Sequence, residues 1–591
     1  MRFVWAVAAF VLAALLIGAG IAQRTVFEGP TSQSQAIDVA GDAPYVLLDG
    51  GVLASHDGAQ TLRVQSDGDI FAAYGRTADL KAWLTKADYT AVSMDGDAVS
   101  SQSIAASVPL ADGESAITPQ TSDLWLDQFT SEDVLIRPLQ LPADMSVLIA
   151  SDGIQPAPGA LTITWPVHST TPWAGPLIVA GALLLLVGIV LYALGVRHAR
   201  RSRGPRRKGV PVPVTEPIDI SERDDEKGVI TASPPRRRLG GGKKALLAVP
   251  ALGVSALLFT GCTADAWPDL AGTPSPTAST TVVAPDDQET PVVTETQAAR
   301  IVSRIADDVA AADEAKDAAA AANRLDGAAL AVRETNYRLR AAIPEQKALP
   351  AVPTGSLEVT LPEANDEWPR TFFAVAPAEG DGGGSVVMSM TQQDAWAPYK
   401  LTYYAAVTSD IDLKLAPTYV GAISIPTDSP FLAIAPENLA AAYADVLDKG
   451  ADSEFASLFD ADDDAFQTSL ADNRASRLAS FNETGAQTGS LAFSARPGSP
   501  EPIALATLDS GAIVAVAVED LDTVTPTNTD AVIKVDGNPV VQTLAGVTQS
   551  ASGFETTYDN QLYFFVPSKS SKERIRLLGF SSDILNAKVV G

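Results

Sequence analysis

Cysteine and histidine are almost missing from this chain of 591 residues: Cys262, His56, His168 and His198 are all there are. A single cysteine cannot close an intrachain disulfide, and no Cys-x-x-Cys or Cys/His spacing suited to zinc exists. The 329 residues after Cys262 contain neither residue type. That larger half therefore carries no Ser-His-Asp triad, no cysteine nucleophile and no histidine-ligated metal. Positive charge is also scarce, with 42 Lys and Arg against 71 Asp and Glu and a net charge of −29. Such a balance argues against nucleic-acid binding, which needs a basic face. No cofactor is expected.

The few positive charges are concentrated. Residues 197–244 hold 14 of the 42 Lys and Arg but only 6 of the 71 Asp and Glu, a local charge near +8. This asymmetry is a topology signal. Two long apolar stretches precede the basic segment. Phe3 to Ala22, "FVWAVAAFVLAALLIGAGIA", has twenty uncharged residues, enough for a span, or alternatively for a cleaved signal ending at Gly20-Ile21-Ala22. Trp173 to Val196, "WAGPLIVAGALLLLVGIVLYALGV", has Trp165 and Trp173 on one side and Arg197, Arg200, Arg201 and Arg203 on the other. By the positive-inside rule the arginine side is cytoplasmic. The organisation expected is a membrane or signal segment over 1–22, an exported β-rich domain over 23–172 and a transmembrane helix over 173–196. A basic, disordered cytoplasmic loop comes next over 197–244, attracted to anionic lipid headgroups.

A third apolar run lies beyond it. "KKALLAVPALGVSALLFTGC", Lys243 to Cys262, has the charges, the short apolar core and the Gly-Cys ending of a lipoprotein signal. Phe259 stands where such signals usually have leucine. Residues 245–262 are therefore either a lipoprotein-like signal, with Cys262 lipidated and the chain cut before it, or a further span. Both readings export the remainder of the chain: a Pro/Thr-rich tether over 263–293, then folded sequence.

Within the first exported region, short apolar runs alternate with turn residues. "PYVLLDGGVLAS" reads as a hairpin, and "TLRVQS" and "DIFAAYGR" as strands flanking a "DGD" turn. Further strands are "DVLIRPLQL", "MSVLIASDG" and "ALTITWPV", and Thr77 to Tyr89 is the one helix expected. The class implied is mainly β and sandwich-like. Asp67, Asp69, Asp123 and Asp127 read as turn residues, since "SDGDI" lacks the further ligands of a calcium loop.

Beyond the tether the pattern becomes α+β. Thr294 and Gln297 form a capping box, and Ile301, Ile305 and Val309 repeat on one helical face. Asp326-Gly327 marks a helix break, and four strands follow, ending with a hairpin of "SVVMSM" and "YKLTYYAAV". The order recurs from "APENLAAAYADVLDKG" to the hairpin "NQLYFFVP" and "RIRLLGF". This suggests two helix-then-sheet modules of the NTF2-like kind, over 294–425 and 426–591. The opening thirty residues, "MRFVWAVAAFVLAALLIGAGIAQRTVFEGP", and the stretch "WPRTFFAV…VVMSMTQQDAWAPYKLTYYAAV" resemble an uncharacterised family of actinobacterial membrane-anchored envelope proteins. The resemblance implies an envelope location. Some relatives carry a glycosyl transferase label.

Three local features bear on chemistry. "FDADDDAF" places Asp460, Asp462, Asp463 and Asp464 within five residues, with an Asp-x-Asp pair of the sort that holds a divalent metal against a nucleotide diphosphate. The simpler expectation is an acidic helix start, and no metal is expected. The acids and bases of the first exported helix, among them Asp307, Asp308, Asp313, Arg300 and Arg304, read as a solvated, mutually paired face. Trp368, Phe373, Trp396, Tyr399 and Tyr403 are candidates to line a binding surface, set against plain core packing. The function expected is a non-catalytic, membrane-anchored envelope protein that binds an envelope component or protein partner. The alternative is an envelope glycan- or lipid-modifying enzyme working through carboxylates set about 5–10 Å apart in a cleft.

Overall fold

The computed structural model describes residues 2–27, 32–39, 41–56, 58–96, 98–110, 118–166, 172–201, 291–365, 367–379, 383–408 and 413–591. The basic loop beyond Arg201, the lipoprotein-like stretch with Cys262 and most of the tether lie outside the described residues. The chain divides into two units, Met1–Gln33 with Pro166–Thr281, and Ser34–Trp165 with Val282–Gly591.

In the first unit, helices α1 (Arg2–Thr25) and α4 (Ala174–Arg201) are each long and apolar enough to cross a membrane. They pair antiparallel along a seam with a seven-residue period. Gly195, Gly188 and Gly181 of α4 sit against Phe3, Phe10 and Ile17 of α1. A Cβ on Gly188 would lie 2.9 Å from the Phe10 ring, and one on Gly181 2.6 Å from Ile17 Cγ1. Small residues against large ones let the backbones approach, which is how helices associate where no water drives them together. Replacing Gly188 with leucine should therefore weaken the pair by about 1–3 kcal/mol. Disulfide cross-linking between cysteines at Phe3 and Tyr192, whose rings lie 5.9 Å apart, should fall in that variant.

The first part of the second unit is mostly β: β1 (Ser32–Asp38), β2 (Tyr45–Leu48), β3 (Gln60–Arg76), β4 (Tyr89–Asp95), β5 (Ala98–Ile104), β6 (Asp127–Leu139), β7 (Met145–Ala150) and β8 (Ala160–Pro166). The strands form one connected sheet in the order β1-β8-β3-β7-β2-β4-β5, with β6 also on β3. The region is mostly β, as expected. Its strands are joined through β3, 17 residues long, which pairs with β8 through its first half and β7 through its second. The "DGD" expected to turn the chain is instead a register shift inside β3, between Gln65 and Asp69. Its neighbour β6 matches the shift with Asp133 in the left-handed region at φ 60°.

Nor does "PYVLLDGGVLAS" form a hairpin. After β2 the chain enters a short helix, α2 (Gly50–Leu53), where Gly51 N donates to Asp49 Oδ1 at 2.8 Å. A Cβ on Gly50 would lie 2.0 Å from Met145 O, so only glycine fits there. The expected helix is present as α3 (Thr77–Trp83), extended by a 3₁₀ turn to Lys86.

From residue 291 the elements are α5 (Glu295–Ala315), α6 (Ala318–Ala321), α7 (Gly327–Ala342), β9 (Val359–Pro362), β10 (Arg370–Pro377), β11 (Ser385–Gln392) and β12 (Lys400–Val407). They continue with α8 (Pro436–Lys449), α9 (Ala465–Thr484), β13 (Gly489–Pro497), β14 (Ile503–Ala506) and β15 (Ala512–Pro526). A two-residue ribbon pairs β16 (Ile533–Lys534) with β17 (Gln549–Ser550), and α10 (Pro539–Ala545) lies between these two strands. Last come β18 (Phe554–Val566) and β19 (Arg576–Val589). The Thr294/Gln297 capping box is formed, and Ile301, Ile305 and Val309 are buried as their spacing predicts.

The helix-then-strand order does occur twice, but the strands join a single nine-strand sheet. The join is β12 to β19, through Ala406 opposite Phe580 and Val407 opposite Gly579. Alternation explains why the halves do not separate. On β10, Phe372, Ala374 and Ala376 pack with α5, whereas Phe373 faces the opposite way. On β15, Val514, Val516 and Val518 pack with α8, whereas Ile513, Ala515 and Ala517 meet Phe373, Tyr403 and Tyr563 in a core shared by both halves. Strands buried on both faces carry apolar residues nearly without interruption.

Candidate functional interface

One face of α5 does something its sequence concealed. Gln297, Arg300 and Arg304 are spaced i, i+3, i+7 and so share a face. They reach across to residues 120–128, in the β-rich region. Gln297 Nε2 donates to Asp123 O at 2.8 Å, and Arg300 donates to the carbonyls of Leu126, at 3.1 Å, and Trp125. Arg304 donates to Ser122 O at 2.9 Å, Gln120 O at 3.3 Å and the Gln128 side chain at 3.1 Å. The expectation that Arg300 and Arg304 pair with acids of their own helix is thus overturned. A segment with open carbonyls offers part-buried guanidiniums more acceptors than a helix neighbour can.

Asp123 is the centre. Its side chain is fully buried, with Oδ1 3.0 Å from Arg304 Nη1 and Oδ2 2.6 Å from Arg324 Nη1. Tyr399 N donates to Oδ2 at 3.0 Å as well. Arg324 continues the network to Asp308 at 2.8 Å. Burial works against the Arg324 charge, but Asp123 and Asp308 outweigh it and its pKa is raised. Arg300 has less compensation, and burial followed by repulsion from Arg304 lowers its pKa.

A second contact lies at α3. Arg370 Nη2 is 2.7 Å from Asp79 Oδ1, and its guanidinium stacks 3.9 Å above the Trp368 ring. Both members of the ion pair are nearly inaccessible, at 1% and 5% side-chain exposure. Trp396 Nε1 donates to Trp83 O at 2.9 Å, and Lys86 Nζ lies 4.2 Å above the Trp396 ring. Trp368, Ala395 and Trp396 close an apolar cluster with Trp83, Leu124 and Trp125. A shallow cleft of about 420 Å³ opens beside the ion pairs, lined by Ser122, Asp308, Arg324, Trp396 and Lys400 among others.

The aromatic candidates therefore divide. Trp368 and Trp396 are half-buried and pack on the β-rich region. Phe373 and Tyr403 belong to the shared core, and Tyr399 packs under α5 with its hydroxyl buried and without a hydrogen-bond partner. The acidic run does not converge. Asp464 is the N-cap of α9, accepting from Gln467 N at 2.8 Å and from the Tyr443 hydroxyl at 2.6 Å. Burial nevertheless raises its pKa. Asp460 and Asp462 fall in and beside a 3₁₀ turn, Ala461–Asp463, and Asp462 is exposed. Among the described residues no group of three His, Cys, Asp or Glu is placed to hold a metal ion. Cys262 lies outside the described residues.

A row of acids went unnoticed in the sequence. Glu519, Asp559 and Asp583 are direct cross-strand partners on β15, β18 and β19. Asp559, in the middle, is 2% exposed. Burial first, then Glu519 and Asp583, push its pKa up to about 8.

Residues 289–589 match the family model described as Domain of unknown function (DUF8094), and since this is just over half of the chain, the protein belongs to that family. No curated protein and no solved structure matches the chain. The family boundary runs through the interface. Arg300, Arg304, Arg324 and Arg370 are inside it, whereas Asp79 and Asp123 come from the sequence that precedes it.

Proposed function

We propose that this is a non-catalytic, membrane-anchored envelope protein. Helices α1 and α4 hold it in the bilayer, and its exported body binds an envelope component or protein partner. The observation that carries the reading is Asp123 between Arg304 and Arg324. It joins residues 34–165 to the family domain, which supports the reading that both are exported to the same side. With the arginines after α4 on the cytoplasmic side, the chain that leaves α4 there must return before residue 291. The apolar run Ala245 to Gly261, ending at the lipidation candidate Cys262, is the segment proposed to bring it back. The binding reading is further supported by the employment of Asp464 as a helix cap and by the burial of Asp559.

The test uses single cysteines in a Cys262→Ser background, labelled with a membrane-impermeant maleimide. Positions Glu132 and Asn586, both exposed, should label in intact cells, and a cysteine at Ser233 in the basic segment only after permeabilisation. Labelling of Glu132 and Asn586 on opposite sides would refute the proposal.

A further inference from the structure

We propose that the family domain is a receptor for the β-rich region of its own chain, and that the two stay assembled when the chain between residues 201 and 291 is broken. This rests on the interface alone, and it stands whether or not the envelope reading does.

Three observations carry it. The contact is chemically divided: carboxylates Asp79 and Asp123 come from one side, and guanidiniums of Arg304, Arg324 and Arg370 from the other. Apart, Asp79 would keep Arg76 at 3.9 Å and Arg324 would keep Asp308, but each would lose its shortest ion pair, which crosses the boundary. Backbone carbonyls of Gln120, Ser122, Asp123, Trp125 and Leu126 all accept from Gln297, Arg300 or Arg304, so the family domain grips this segment along its length. Finally, an apolar cluster crosses the same boundary, bringing Trp368, Ala395 and Trp396 against Trp83 and Trp125. Aromatic and arginine anchors around desolvated charge pairs are the features that dominate binding energy at protein interfaces. None of these contacts uses the polypeptide between residues 201 and 291.

The experiment is to express the chain as two co-translated pieces, 1–242 and 243–591, with an affinity tag on the first only. Co-purification after detergent extraction is expected, with retention through gel filtration at about 1 µM corresponding to a Kd below that value. Recovery of the tagged piece alone would overturn the proposal. Shared detergent micelles are controlled by Arg304→Glu combined with Arg324→Glu in the second piece. That variant should lose at least tenfold of the co-purified partner. Undiminished recovery would place the association in the membrane segments, and would also overturn it. As a second route, a protease site inserted after Gly272 lets the chain fold intact before it is cut. Co-elution of the fragments is expected, and their separation would count against the proposal.

Discussion

Replacing Asp123 with alanine is expected to destabilise the body formed by residues 34–165 and 291–591 by about 3–5 kcal/mol, the scale for removing one partner from a buried ion pair. The magnitude comes from the groups left without a partner. Arg324, with 8% side-chain exposure, keeps a long 3.5 Å hydrogen bond to Tyr399 O and the carboxylate of Asp308, which is itself 56% exposed and so well screened. Arg304 loses its carboxylate and keeps neutral acceptors. Tyr399 N, buried beneath α5, loses its acceptor outright. The pair as a whole need not be worth this much, since its formation also desolvates three charged groups. Urea unfolding of the full chain in detergent, followed by tryptophan fluorescence, measures the change. A loss under about 0.5 kcal/mol would mean that water reaches the site and that Asp123 is not its centre. The double variant with Arg324→Met should be less destabilised than the sum of the single changes, because the second substitution removes one of the stranded charges.

Asp559 carries the largest expected dependence on pH. Its folded pKa is raised to about 8, whereas an unfolded aspartate titrates near 3.9. Between those values the unfolded chain has released a proton that the folded chain keeps. Folding then takes up a proton, and stability falls as pH rises through the window, levelling off above about 8. Each pH unit of that window is worth at most about 1.4 kcal/mol, so the whole amounts to several kcal/mol. Asp559→Asn removes the titrating group and keeps the shape. It should leave stability near pH 4 unchanged and raise it by a few kcal/mol at pH 8, read as a shift in the unfolding midpoint. Glu363, Asp464 and Asp583 are raised in the same direction, so the variant reduces the slope and does not abolish it. Equal effects at pH 4 and pH 8 would show that folding does not raise the pKa of Asp559.

Local features of this chain were legible in its sequence, and distant ones were not. The capping box, the buried stripe of α5 and the strands from β9 to β12 follow from spacing and turn residues. The sheet that unites both halves does not, because the β12–β19 pairing joins residues over 170 positions apart through only two residue pairs. The "DGD" at Asp67 to Asp69 carries turn chemistry, but a long partner strand with a matching irregularity kept β3 whole. Phe372 and Phe373 show why the aromatic positions were ambiguous. Alternation sends them to opposite faces, and here both faces are buried. Charge was misjudged for a related reason. Arg304 and Asp123 are 181 residues apart, and nothing near either one announces the other. The signal that was available is the i, i+3, i+7 stripe of Gln297, Arg300 and Arg304 beside an apolar face.

That separation also has a meaning in time. Residues 118–128 are synthesised well before the docking residues that cover them, and Trp396 emerges 270 residues after Leu126. At about 5–20 residues per second the interval is roughly 15 to 50 seconds. Throughout it, the β-rich region waits with one side unfinished. A wholly apolar docking face would be an invitation to aggregate over such a wait. Carboxylates and open carbonyls are well hydrated alone, and they surrender that water only when the arginines of α5 arrive.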